Sequence, residues 1–92
     1  MTTLDQRFQM SDDVIAREVA GEMVLLDLAS GLYFGLDPVG SRIWECLSES
    51  SCTLTKVCDV IEAEYDAPRA RIEEDILALA AQLTDKGLIT PV

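Results

Sequence analysis

The stretch Val24–Trp44, VLLDLASGLYFGLDPVGSRIW, decides the fold of this chain. It holds an apolar run, a short polar turn, a second apolar run and a helix start, with almost no spacer between them. Ala29–Gly31 offers the positive-φ position of a tight reversal, so the two runs predict a β-hairpin. Asp37 suits a helix N-cap and Pro38 the first helical position. One edge of a small sheet is therefore left to be covered or used for binding.

The apolar runs in and before this stretch predict three strands. The first lies within residues 14–20, the second runs from Met23 to Leu28, and the third from Leu32 to Leu36. Gly21 and Glu22 give the chain a place to turn between the first two strands. The result is an antiparallel sheet of three consecutive strands.

Side chains alternate along the third predicted strand. Leu32, Phe34 and Leu36 share one face, and we expect the last two to point into the core. Tyr33 and Gly35 share the opposite face, so Tyr33 is available for contacts outside the chain. Gly35 weakens the strand, and it marks either a close approach by another backbone or a bulge.

Three helices are predicted after the sheet. The first carries Trp44 as a core anchor, Thr53 caps the second, and Asp66–Pro68 restarts the chain for the third. Gly87 suits the C-cap of the third helix, and Leu88-Ile89 forms a short apolar tail behind it.

These elements predict an α+β, winged-helix-like fold, in which a three-stranded antiparallel sheet is followed by three helices (βββααα). We assign residues 13–92 to a single domain. Residues 1–12 are polar and weakly patterned, which predicts a loosely ordered N-terminal segment, with Leu4, Phe8 and Met10 able to dock on the sheet.

Charge and size narrow the function classes. The 92 residues include 17 acidic and 7 basic side chains, for a net charge of −10. Such a surface repels phosphate backbones and anionic lipid, so cationic or apolar peptides are better partners than nucleic acid. No apolar run reaches membrane-span or signal-peptide length, and we expect a cytoplasmic protein without membrane association.

The residues offer little for catalysis. The chain has no histidine, and Cys46, Cys52 and Cys58 match no paired-ligand zinc pattern. We expect Cys46 and Cys58 to pack in the core as small hydrophobes. Glu73 and Glu74, the start of the densest acidic cluster, point about 100° apart on a helix and do not converge on one substrate. We therefore expect no catalytic residue, metal or cofactor, and not an enzyme.

The assembled residues resemble the PqqD-like family over residues 14–90. These small peptide chaperones, also called RiPP recognition elements, bind leader sequences of ribosomally made peptide natural products. The resemblance is carried by a set of structural positions, specific as an ensemble: Gly31, Tyr33-Phe34, Leu36-Asp37, Gly40, Ile43-Trp44 and Gly87-Leu88-Ile89.

The resemblance implies that a precursor leader peptide adds as an antiparallel strand to the third strand, in a groove beside the third helix. The chain would then present the leader to a modifying enzyme, such as a leader peptidase or a radical enzyme. Four main-chain bonds at ~1 kcal/mol each give about half of the ~8 kcal/mol that micromolar binding needs, so apolar pockets supply the rest. The candidate peptide-binding residues are Leu32, Tyr33, Phe34, Gly35, Leu36, Arg71, Ile72, Asp75, Ile76 and Leu79.

Alternatives remain open at this point. Ile76 and Leu79 suit a plain helix core as well as a groove. Three helices and a small sheet also fit a winged-helix DNA-binding or transcription-related protein, although the third helix has acids and alanines where major-groove readers carry basic and amide side chains. A homo-oligomeric scaffold is the other alternative, since the same strand edge could pair in a homodimer. The natural product and the partner enzyme are not encoded in this sequence.

Overall fold

The computed structural model describes residues 3–49 and 53–91. It contains five strands and three helices within those ranges. In chain order they are β1 (Phe8–Met10), β2 (Val14–Val19), β3 (Glu22–Asp27), β4 (Leu32–Gly35), α1 (Pro38–Glu49), α2 (Leu54–Glu64), α3 (Arg69–Asp85) and β5 (Ile89–Pro91). The α+β prediction, with a three-stranded antiparallel sheet followed by three helices, is confirmed.

The main sheet has the order β2-β3-β4, with every pair antiparallel. Ala20 and Gly21 both have positive φ, 54° and 83°, and close the first hairpin as a two-residue turn. Gly31, at φ 74°, allows the reversal of the second hairpin, as its position in the sequence predicted. In the resulting register Val24 lies opposite Gly35, and β4 is an edge strand.

A second, two-stranded sheet was missed from the sequence. β1 pairs antiparallel with β5, so that Phe8 lies opposite Pro91. The Phe8 side chain is 1% exposed and belongs to the core. Phe8–Met10 forms a strand because the apolar tail behind α3 gives this segment a strand partner.

The turn after α3 brings β5 to β1. Gly87 has φ 74°, its N–H donates to the Thr84 carbonyl at 3.0 Å, and the Leu88 N–H donates to the Leu83 carbonyl at 2.9 Å. These two bonds form a Schellman motif, which ends the helix and turns the chain back. Leu83 and Leu88 are both buried, which is the apolar contact that accompanies the motif.

The core lies between the inner face of the main sheet and the three helices. Leu25 on β3, Trp44 on α1 and Ile76 on α3 are 0%, 4% and 1% exposed, so the prediction of Trp44 as a core anchor is confirmed. Cys46 and Cys58 are also buried, as predicted. Cys52 lies outside the described residues.

Ser41 is the one buried polar side chain identified among the described residues. Its hydroxyl accepts from the Met23 N–H at 2.7 Å and donates to the Leu36 carbonyl at 3.3 Å. Leu36 is where the chain leaves β4 for α1, and its N–H still donates to the Met23 carbonyl at 2.8 Å. The hydroxyl thus bridges the last donor and acceptor of the β3–β4 ladder.

We expect Ser41→Ala to lower the free energy of unfolding by about 1–3 kcal/mol, because the part-buried Met23 N–H and the Leu36 carbonyl lose their shared partner. Denaturant unfolding followed by circular dichroism measures this. The matched control is Ser48→Ala on the exposed end of the same helix, where we expect a change below about 0.5 kcal/mol. Equal effects of the two substitutions would contradict the bridging role of Ser41.

Candidate functional site

The outer edge of β4 carries unpaired backbone groups. In an antiparallel ladder, directly hydrogen-bonded pairs alternate with pairs that are not bonded to each other. The bond from Leu36 to Met23 fixes this alternation, so Leu32 and Phe34 direct their amides and carbonyls toward β3. Tyr33 and Gly35 direct theirs away from the sheet. Within residues 3–49 and 53–91 no strand pairs with this edge.

A cavity of about 480 Å³ lies beside the edge, between the start of α1 and the face of α3. Its lining combines backbone at the end of β4 with apolar side chains of both helices and three polar side chains. The lining residues are Gly35, Leu36, Asp37, Val39, Gly40, Ile43, Asp75, Leu79 and Gln82.

A second cavity, of about 250 Å³, continues from the first along α3. The two share Val39, Ile43 and Asp75, and together we call them the α3 groove. The second cavity is the more apolar end of the groove. Its other lining residues are Ile61, Tyr65, Asp66, Ala67, Arg71, Ile72 and Ile76.

The structure brings most of the predicted site residues to this groove. Gly35, Leu36, Asp75 and Leu79 line its first cavity. Arg71, Ile72, Asp75 and Ile76 line the second. Ile72 and Ile76 are 4% and 1% exposed, so they form the floor and belong to the core as well.

The other three predicted residues line neither cavity of the groove. Phe34 is half-buried on the inner face, with the Lys86 ammonium 4.9 Å from its ring centroid. Leu32 is exposed at the start of β4. Tyr33 is 70% exposed and lies on the opposite face of the sheet, as the alternation predicted.

The sequence prediction missed the wall that α1 contributes. Val39 and Ile43 line both cavities, yet their helical spacing predicted only packing on the sheet. Their closeness to Pro38 is the signal that could have placed them, since residues in the first turns of a helix stay near the strand that precedes it. Gln82 and Tyr65 gave no comparable signal.

Charged side chains lie at the rim of the groove and form ion pairs between the helices. Arg71 pairs with Asp75 at 3.5 Å on the exposed side of α3. Arg42 on α1 binds Glu64 on α2 at 2.8 Å, and its guanidinium lowers the pKa of the Glu64 carboxyl. Arg69 on α3 reaches Asp59 on α2 at 2.8 Å. The two interhelical pairs connect α1 to α2 and α2 to α3 at the surface of the protein.

Reactive groups do not gather in the groove. Burial raises the pKa of the Cys58 thiol, which keeps it protonated at neutral pH and unreactive. Across the described ranges, no three histidine, cysteine or carboxylate side chains are grouped as metal ligands. Among the described residues, no helix is long and apolar enough to cross a bilayer. The geometry suits binding of an extended, partly apolar segment.

Residues 22–89 match the family model described as coenzyme PQQ synthesis protein D (PqqD). The chain belongs to the PqqD family. A PqqA binding protein of Rhodopseudomonas palustris (strain ATCC BAA-98 / CGA009) is 36% identical over 44 residues, which are 48% of this chain and 43% of that protein. The chain thus matches less than half the length of this curated relative.

Two solved structures share the fold of this PqqD-family chain over most of its length. TbiB1, in complex with the TbiA(beta) leader peptide, is 41% identical with a TM-score of 0.81, covering 88% of this chain and 93% of TbiB1. Lasso peptide synthetase B1, complexed with the leader peptide, is 28% identical with a TM-score of 0.82, covering 91% and 98% of the two chains. The resemblance noted in the sequence is confirmed.

Asp37 links the edge of β4 to the groove. Its Oδ1 accepts from the Gly40 N–H at 2.6 Å, which confirms it as the N-cap of α1. We expect Asp37→Ala to lower the free energy of unfolding by about 1 kcal/mol, because the first turn of α1 loses its cap. Asp37→Asn keeps a capping oxygen and serves as the control, with a much smaller loss. Thermal or denaturant unfolding of both variants measures this, and equal losses would contradict the capping role.

Proposed function

We propose that this PqqD-family chain is a non-catalytic module that recognises the leader region of a ribosomally synthesised precursor peptide. One observation carries the proposal: an unpaired strand edge lies directly beside a partly apolar groove. Two structures with the same fold, TbiB1 and lasso peptide synthetase B1, are complexes with leader peptides. Main-chain pairing with side-chain pockets alongside is the general mode of strand addition.

The edge defines how a leader binds. An added antiparallel strand forms four main-chain bonds, two with Tyr33 and two with Gly35. Peptide residues opposite Phe34 and Leu36 then direct their side chains to the inner face, toward the α3 groove. Main-chain bonds at ~1 kcal/mol each fall short of micromolar affinity, so apolar contacts with the groove provide the remainder. Leader recognition therefore depends on both the edge and the groove.

The chain's role in its pathway follows from binding alone. By holding the leader, it raises the concentration of the precursor near a modifying enzyme, such as a leader peptidase or a radical enzyme. The net charge of −10 also favours encounter with a cationic leader. In this role the chain acts in the cytoplasm and performs no reaction itself.

The same features weigh against the alternatives. Arg69 on α3 is engaged by acids of α2, and the exposed face of α3 carries Glu74 and Asp75, which repel a phosphate backbone. A homodimer through β4 would occupy the edge that the leader requires. Peptide addition should therefore dissociate such a dimer, which sedimentation velocity can measure.

We expect leader peptides to perturb β4 in solution. The ¹⁵N-labelled chain is titrated with the leader of the precursor encoded beside its gene and, separately, with the TbiA(beta) leader peptide. The backbone amides of Tyr33 and Gly35 should shift and become protected from hydrogen exchange, because they gain strand partners. The amide of Glu18, which points outward from β2 at the opposite edge of the sheet, is the internal control. No β4 shift with either peptide would overturn the proposal.

Leu79 tests the contribution of the groove. We expect Leu79→Ala to weaken leader binding about tenfold, roughly the loss of 1.4 kcal/mol of apolar contact. Leu77→Ala is the matched control, since Leu77 is a half-buried leucine of the same helix that lines neither cavity. Calorimetric titration measures both variants. Equal losses of affinity in the two variants would contradict a role for the groove.

A further inference from the structure

Gly35 is a glycine that the chain's own conformation does not require. Three other glycines have positive φ, and a Cβ on Gly40 would lie 3.1 Å from Asp37 Oδ1. Gly35 has neither feature. Its φ is not positive, and an added Cβ would meet none of the described atoms within 4 Å. The three glycines with positive φ are Gly21, Gly31 and Gly87.

A glycine in this position costs stability. Glycine loses more conformational freedom on folding than any other residue, and in a strand it packs no side chain against its neighbours. Gly35 lies within β4, where β-branched and aromatic residues fit a pleated surface best. The empty space above Gly35 is therefore unexplained by the isolated chain and points to something outside it.

The space opens onto the outer face of the main sheet, the side away from the helices. An apolar depression of about 380 Å³ lies on this face, beside Gly35. Val24, directly opposite Gly35, and Tyr33, two residues before it, both line the depression. Tyr33 is 70% exposed, so its side chain is available at this surface. The other lining residues are Ile15, Arg17, Val19 and Leu26.

A leader strand on β4 places one side chain in that space. Residues directly opposite each other in an antiparallel pair share a face, so the peptide residue opposite Gly35 points to the outer face. Adjacent strands are about 4.8 Å apart, which puts Val24 roughly 10 Å from the peptide backbone. A large flat side chain that leans across Gly35 reaches Val24 and, diagonally, Tyr33. A side chain at position 35 would stand in its way.

We propose that Gly35 is a specificity-determining residue, selecting a leader with an aromatic side chain that lies across Gly35 between Tyr33 and Val24. Covering a strand glycine with a cross-strand aromatic ring is a known way to stabilise strand pairing. The leader is then read on both faces of the sheet, apolar side chains in the α3 groove and one aromatic ring outside. This inference rests on the proposed leader-binding function.

The test is a double-mutant cycle between the chain and a leader. The probe is the leader peptide that binds in the titration described above. A set of variants of this peptide, each with one residue replaced by alanine, is tested alongside it. Affinities are measured for the wild-type chain, Gly35→Val and Tyr33→Ala. Leu28→Ala is the control on the chain, since Leu28 is an apolar side chain that is 54% exposed and does not line the depression.

We expect Gly35→Val to weaken leader binding about tenfold while leaving the melting temperature unchanged or higher, because valine favours the strand. Replacing one aromatic residue of the peptide by alanine should lower its affinity about tenfold for the wild-type chain and less than about threefold for Gly35→Val. Tyr33→Ala should reduce the same preference for the aromatic side chain, and Leu28→Ala should leave it unchanged.

Two results would overturn the inference while leaving leader binding intact. One is wild-type affinity in Gly35→Val, and the other is an equal cost of the aromatic change with both chains. Failure of both leader peptides to bind the wild-type chain is a different outcome, which refutes the proposed function itself. A lower melting temperature of Gly35→Val would show that the chain needs this glycine for its own fold, which also overturns the inference.

Discussion

The rest of the structure depends on the abrupt passage from β4 into α1. Only Leu36 and Asp37 separate the strand from the helix, so the helix must begin beneath the sheet edge. The Asp37 carboxylate caps the helix, and the Ser41 hydroxyl bridges Met23 and Leu36 at the end of the ladder. Together they satisfy backbone groups that so sharp a transition would leave buried and unpaired. No other strand among the described residues pairs with the outer edge of β4, which stays open.

The open edge and the groove are two results of the same arrangement. α1 leaves β4 at once and packs on α2, and the ion pair of Arg42 with Glu64 joins these two helices. α3, joined to α2 through Arg69 and Asp59, then lies across from the first turns of α1. The space between them is floored by core residues such as Ile76 and lined higher up by the half-buried Leu79. An extended segment on β4 therefore meets hydrogen-bonding groups and apolar surface at the same time.

The sequence positions that carry the resemblance to the PqqD family are mainly residues that build the fold. Gly31 allows the turn of the second hairpin, and Trp44 fills the core. Asp37 caps the start of α1, and Gly87 follows the end of α3. Gly35 differs from these, because neither its backbone conformation nor its packing requires glycine. The fold of the isolated chain therefore does not explain the glycine at this position, and we have proposed a role in binding for it.

The local structure of this protein can be predicted from short stretches of its sequence. The β3–β4 hairpin, the caps at Asp37 and Thr53 and the turn at Gly87 depend on residues a few positions apart, and propensity and side-chain alternation suffice to find them. Tertiary structure decided the rest. The β1–β5 sheet joins segments from opposite ends of the chain, and Val39 faces Leu79 only once the packing of α1 and α3 is set. Contacts between distant segments depend on how whole elements pack, and periodicity within one element does not contain that information.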